Sequence, residues 1–545
     1  MVILPHPTMF PGGMNSKTDR TAERPVAKGC APAGQVRQHR PSAIRNVLSN
    51  WAGFIVSTLV ALFVSPFVVR HLGDSAYGIW ILMGSLTGYL GLLNLGVRGA
   101  VTRYIASFHA VDDHREVNKI TSTAFVIFLG AGVIAILVSV ILALLAVNLF
   151  HIPHSYRLAA QAILILAGFN VAASLIGGVF DGILVALERF DLVNLVEVGS
   201  GVLRTITIVL ALLSGRGLIT LAVIQLFFTA VTGATYIWLS FRNCPHLQLM
   251  VAACDWQHVQ MIFSFSLYLF VLTISNNLIF YTDSIVIGHF LSVGMITLFA
   301  IAANLIKCSR DLIRGISTTV TPRASALDAG GNEEGVRKIL LKGAQYATVI
   351  FLPIAVTFML RGTSFIKLWM GPEYAEPSGH VLWILAVSLV FMAGELVAGS
   401  TMVGISMHKP LAKIYFVEAL CNLALSVALI RPMGIYGVAW GTTLPSLAVS
   451  LVFWPWYVRH TLGIPVSTYL ISTWLRPAIA AMPFVILTYI VERLWPAPNL
   501  FAFFLQTIAI LPSIGFPAWY LCLNSSDRKI YAHKFMQPVL RTIRS

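Results

Sequence analysis

The sequence predicts an all-α polytopic membrane protein of about fourteen transmembrane helices, arranged as two six-helix lobes around a central cavity with two further helices at the C-terminal end. Three observations carry this reading. The chain of 545 residues is 57% hydrophobic, with a mean hydropathy of +0.80. Only 11% of its residues are charged, against about 25% in ordinary soluble domains. The apolar residues also recur in runs of about 20, the length at which a helix crosses the hydrocarbon core of a bilayer. So few charges cannot keep the surface of a 545-residue soluble protein wet, which excludes a soluble enzyme, a DNA-binding factor and a disordered scaffold.

The runs place spans at 46–69, 77–97, 121–150, 158–184, 194–213, 217–241, 259–282, 284–306, 343–360, 380–406, 412–430, 435–457, 475–491 and 499–522. Glu197 and Arg204 interrupt the fifth, and the seventh and eighth are nearly continuous. An even number puts both termini on one side. The chain carries 37 Lys+Arg against 22 Asp+Glu, a net charge of +15. With the N-terminal segment in the cytoplasm, the cytoplasmic segments hold 29 of the 37, the outer segments seven, and Arg204 lies inside a span. That asymmetry is the positive-inside rule. It accounts for the basic balance without a nucleic-acid partner.

The domain reading follows. Residues 1–42 form a disordered basic cytoplasmic tail rich in Pro, Gly, Ala and Arg, with no apolar region of the kind a cleaved signal needs. Residues 43–241 and 259–457 form the two lobes, 475–522 two additional helices, and 523–545 a short basic cytoplasmic tail. The six cysteines, Cys30, Cys244, Cys254, Cys308, Cys421 and Cys522, show no CxxC spacing and avoid the outer segments. Neither disulfides nor a zinc site are expected, and no cofactor is.

An ungapped shift of 219 residues lays 96–120 on 315–339 with seven identities: Gly96/Gly315, Val101/Val320, Thr102/Thr321, Ala110/Ala329, Val117/Val336, Lys119/Lys338 and Ile120/Ile339. Six spans separate the copies, so both point the same way across the membrane. Parallel repeats of this kind are common in transporters, whose substrate path lies between the halves. Two amphipathic loops of like composition are the alternative.

A GxxxxGK[ST] phosphate loop is absent, which excludes an ATP-driven pump in this chain alone. The longest outer segment expected is 361–379, where His380 and Glu373 lack the company a membrane transferase needs. No filter-like loop suggests a channel.

Ionisable residues at bilayer depth cost about 2.5–3.5 kcal/mol each on insertion scales, so they face partners or a wet cavity. Arg204 follows Glu197 by two helical turns, which sets both on one face. They form an ion pair that holds the fold, or a cationic cavity for anionic cargo. Arg98 and Arg103 close the second span, and Lys307, Arg310 and Arg314 the eighth. These residues anchor loops or rim the cavity, where an arginine fork suits a diphosphate. Asp283 is placed at the outer end of span seven, Glu395 mid-span in ten and Glu418 in eleven. They are candidates for coupling to H⁺ or Na⁺, or for helix-packing hydrogen bonds. Asn46, Asn50, Asn276 and Asn277 either wet a sugar path between the lobes or pack helices.

Ser65-Pro66-Phe67 and Arg70-His71-Leu72-Gly73-Asp74-Ser75-Ala76-Tyr77-Gly78-Ile79-Trp80 resemble polysaccharide flippases of the Wzx type. So do Tyr89-Leu90-Gly91-Leu92-Leu93-Asn94-Leu95-Gly96 and Arg103-Tyr104-Ile105-Ala106. Asp283-Ser284-Ile285-Val286-Ile287-Gly288 and Gly434-Ile435-Tyr436-Gly437-Val438-Ala439 are similar to second-half signatures of these proteins. The likeness extends through about 44–460; the long segment 1–42 departs from the family's short start. The resemblance implies the multidrug/oligosaccharidyl-lipid/polysaccharide exporter superfamily and a non-enzymatic role in the bacterial inner membrane. That role is translocation of undecaprenyl-diphosphate-linked oligosaccharide by alternating access, for O-antigen, capsule or exopolysaccharide assembly. Membrane lipids, and polymerase and chain-length machinery, are the expected partners; the oligomeric state is left open, with a monomer as the default. It makes Arg98, Arg103, Arg204 and Arg314 candidate diphosphate ligands, with Asn50 and Asn277 beside them. A cation-coupled multidrug exporter, a lipid II flippase and a membrane glycosyl- or acyltransferase are the rival readings.

Overall fold

The described residues fold into helices, without a strand among them. The N-terminal half contains α1 (Leu62–Leu72), α2 (Asp74–Leu90), α3 (Val97–His109), α4 (His114–Leu149), α5 (Arg157–Ala186), α6 (Phe190–Leu213) and α7 (Leu218–Asn243). The C-terminal half contains α8 (Trp256–Phe290), α9 (Val293–Ser317), α10 (Val320–Ala329), α11 (Glu333–Trp369), α12 (Pro372–Gly404), α13 (Lys409–Met433), α14 (Ile435–Ala448) and α15 (Trp454–Leu462). The chain continues through α16 (Val466–Leu470), α17 (Arg476–Leu494), α18 (Leu500–Ile510) and α19 (Gly515–Leu521). This computed structural model describes residues 62–250, 255–407, 409–523 and 528. Segment 1–42, Asn46, Asn50 and most of the first expected span lie outside the described residues.

Among the described residues, twelve stretches are long and apolar enough to cross a bilayer. They coincide with the second to sixth and eighth to fourteenth expected spans. The described end of the first expected span is α1, and the 35-residue α8 lies at the seventh. The chain is a multi-pass membrane protein.

The 219-residue repeat has a structural counterpart. Asp113 caps α4 by accepting the Glu116 N–H, and Asn332 caps α11 by accepting that of Gly335; the two caps are 219 residues apart.

Three boundaries differ from expectation. The expected outer segment 361–379 is helical: α11 runs to Trp369 and α12 starts at Pro372. The Gly371-Pro372 pair reads as a loop, but proline at the first helical position starts a helix, because its missing N–H has no intrahelical partner there. Asp283 lies seven residues inside the end of α8, not at its outer end. Arg98 and Arg103 do not close the second span but lie on α3, beyond a break formed by a 3₁₀ turn at Gly91–Asn94 and left-handed residues Leu95 (φ 50°) and Gly96 (φ 73°).

The α1/α2 end binds the halves tightly. Gly78 on α2 sits under the first turn of α9, where a Cβ would lie 1.8 Å from the Val293 carbonyl oxygen. Thr297 donates to the Asp74 carbonyl at 2.8 Å, and the Tyr374 hydroxyl to the Asp74 carboxylate. Arg70 donates to the Met370 carbonyl at 3.1 Å, and Trp369 to that of Leu62 at 2.6 Å. An apolar core drawn from both halves, including Ile79, Leu82, Ile296 and Ile366, surrounds these bonds. At the α3/α4 end, the described hydrogen bonds between halves run to the start of α8. His258 bonds Glu116 at 2.8 Å, and Tyr104 donates to the Met261 carbonyl at 3.4 Å.

Candidate functional site

A cleft of about 520 Å³ opens in the N-terminal half between α5, α6 and α7, with Arg98 of α3 at its edge. Two close approaches build it. Gly177 and Gly233 let α5 and α7 touch: a Cβ on Gly177 would meet the Gly233 Cα at 3.0 Å. Thr102 donates to the Gly182 carbonyl at 3.3 Å and fixes α3 on α5. That register sets the Arg98 guanidinium against the Asp181 carboxylate as an ion pair. Asp181 is 2% exposed, and its Oδ1 has no hydrogen-bond partner among the described residues. The same holds for the hydroxyl of Tyr236, 5% exposed, across the cleft.

Glu197 and Arg204 line this cleft together, as their two-turn spacing requires. They are not joined as an ion pair among the described contacts; Arg204 instead donates to Gln225 Oε1 of α7 at 3.2 Å. Thr232 donates to Ser200 at 2.7 Å, fastening α7 to α6. A smaller space of about 170 Å³ shares Arg98 with the cleft, and one of about 310 Å³ beside Trp80 and Thr87 includes Gln225. Both include Asn170, whose Oδ1 also lacks a partner among the described residues. The polar lining therefore extends from α6 toward α2.

Arg103 on α3 and Arg314 on α9 are exposed, as is Lys307. Asn277 donates to the Gly88 carbonyl at 3.2 Å, a contact that packs α8 on α2.

The carboxylates of the C-terminal half divide into two groups. Glu395 of α12 and Glu418 of α13, 7% and 6% exposed, lie within electrostatic reach of Arg310 of α9, with no direct ion pair to it among the described contacts. Ser450 donates to Glu395 at 2.7 Å from a π-helical turn at Val449–Phe453. Arg310 also stacks over Phe280, 5.0 Å from the ring centre. Asp283 stands apart: Thr442 of α14 donates to its Oδ2 at 2.9 Å, and Asn422 of α13 donates to the same hydroxyl at 3.0 Å. The Oδ1 atoms of Asp283 and Asn422 have no partner among the described residues. This carboxylate, amide and hydroxyl oxygen set suits a small hard cation. No cluster of three or more His, Cys, Asp or Glu able to hold a metal occurs among the described residues.

The sequence reading missed Asp181, Tyr236, Asn422 and Thr442. The first had a signal: an aspartate inside the apolar run 158–184 obeys the same cost argument that singled out Asp283.

Residues 43–328, 286 of 545, match a family described as polysaccharide biosynthesis protein. The chain belongs to that family. It is thereby one of the Wzx-type polysaccharide flippases within the multidrug/oligosaccharidyl-lipid/polysaccharide exporter superfamily. It is 24% identical over 406 residues to a Shigella flexneri protein named "Putative O-antigen transporter", covering 73% of this chain and 93% of that one. It is 23% identical over 392 residues to the "Probable flippase AglR" of Haloferax volcanii, covering 72% and 78%. Its fold matches the lipid II flippase MurJ in an inward closed conformation, with a TM-score of 0.70 at 15% identity over 87% of this chain and 98% of that one. These relatives are transporters and flippases.

Proposed function

We propose that the protein carries an undecaprenyl-diphosphate-linked oligosaccharide across the bacterial inner membrane by alternating access, without catalytic chemistry. The observation that carries the reading is the pairing of a sealed α1/α2 end with a polar, arginine-bearing cleft. The 29 to 7 distribution of Lys and Arg supports a cytoplasmic α3/α4 end. On that orientation this is the state closed toward the periplasm, and the lobes 43–241 and 259–457 are the bodies that rock. The head group enters from the cytoplasmic end, where Arg103 and Arg314 present charge to the diphosphate. The lipid tail stays in the bilayer. Asp283, Asn422 and Thr442 supply the oxygen ligands through which a cation gradient is coupled.

The cationic-drug reading is disfavoured by Arg310, which shares the space of Glu395 and Glu418 and removes the open acidic surface such cargo needs. Deletion of the gene tests the proposal. Loss of one surface polymer, with its lipid-linked precursor accumulating in the inner leaflet, is the expected result. Unchanged glycans and precursors alongside accumulation of cationic dyes would replace it with the exporter reading.

A further inference from the structure

Resting on that reading, we infer that the N-terminal cleft is the subsite for the uncharged glycan of the head group, read by Asp181 and Tyr236, and not the diphosphate site. Charge comes first. The cleft brings together two cations, Arg98 and Arg204, and two anions, Asp181 and Glu197. Its formal charge is balanced before any ligand enters. The Arg98 fork is already engaged by Asp181, and Arg204 is held by Gln225. A diphosphate here would add negative charge beside two carboxylates in a medium that screens poorly.

The unpaired polar atoms come second. Asp181 Oδ1 is an acceptor and Tyr236 Oη both donor and acceptor. Both side chains are buried, line the same cleft and have no protein partner there among the described residues. A buried polar group left unpaired costs about 1–3 kcal/mol. A sugar hydroxyl donates one bond and accepts another, so it satisfies a carboxylate oxygen and a phenol together. Ser174, Ser200 and Thr232 add hydroxyls to the walls. The volume, about 520 Å³, is that of a small-molecule pocket. Arg98 is then a positioning residue, which holds the Asp181 carboxylate through Oδ2 and leaves Oδ1 without a protein partner among the described residues.

The test uses the full chain in nanodiscs with two probes: undecaprenyl diphosphate, and the same lipid bearing a neutral disaccharide. Affinity is read by native mass spectrometry. The wild type should bind the glycosylated lipid about tenfold more tightly, the equivalent of one or two net hydrogen bonds. Asp181→Asn and Tyr236→Phe should remove that preference and leave binding of the bare lipid unchanged. Tyr236→Phe deletes a single oxygen and keeps the test open where the aspartate variant does not fold. Equal affinity of the wild type for both lipids, or variants that weaken both alike, overturns the subsite while the flippase reading stands. Failure of the wild type to bind either lipid overturns both.

Discussion

At the α1/α2 end the halves meet through backbone and buried apolar side chains: Gly78 under the Val293 carbonyl, Arg70 on the Met370 carbonyl, Tyr374 on Asp74. At the α3/α4 end they meet through partly exposed charge, with Glu116 bonded to both His258 and Lys119 while Arg103, Lys307 and Arg314 face outward. Glycine-tight contacts tolerate no intermediate spacing, so they are either made or broken. Exposed charge pairs are wet and worth little individually. The first kind of surface suits a gate, and the second suits an entrance that anionic cargo must pass. The family-like run Arg70–Trp80 is accordingly part of the seal, and its residues need not touch cargo.

Four substitutions break or sharpen this contrast. The largest effect is expected from Gly78→Leu, whose side chain has no space beneath Val293. Surface polymer should fall to background, and wild-type polymer levels would show that the seal is not needed for transport. Next is Glu492→Ala, which strips Arg361, 1% exposed, of its carboxylate partner at 2.7 Å. Losing one partner of a buried pair costs about 3–5 kcal/mol. Glu116→Ala should cost less, about 1 kcal/mol, since Glu116 is itself partly exposed in its pairs with Lys119 and His258. Melting of the two variants side by side checks the difference, and equal losses would erase the contrast. Between those two lies Tyr374→Phe, about 1.5–3 kcal/mol for one hydrogen bond to a carboxylate. It should favour the state open at the α1/α2 end. An Ala76→Cys reporter, buried in this state, should then react with a water-soluble thiol reagent several-fold faster than in the parent.

Much of the fold was legible because apolar runs report bilayer thickness directly, and the second to fourteenth expected spans each have a helix at their place among the described residues. The same periodicity put Glu197 and Arg204 into one cleft. The Asp181 partnership was hidden because it joins α3 to α5, and single-helix spacing cannot reveal which helix a charge meets. Arg361 was counted among outer loop cations, yet it is buried against Glu492, Gln506 and the Phe503 ring. A charge tally cannot distinguish an anchor in water from a partner in the core. Asn277 looked like a path residue, and the choice between path and packing needed the Gly88 carbonyl to be seen.

α8 belongs to neither half alone. Its first turns are tied to Glu116 and Tyr104, and its last third to Thr442 and α2. The preceding segment is fixed along α4 through Asn118 and Ser122. The proposed turning of one half against the other would have to carry this helix along or bend it, and a cation held at Asp283, as proposed, would sit on the part of it that both halves grip.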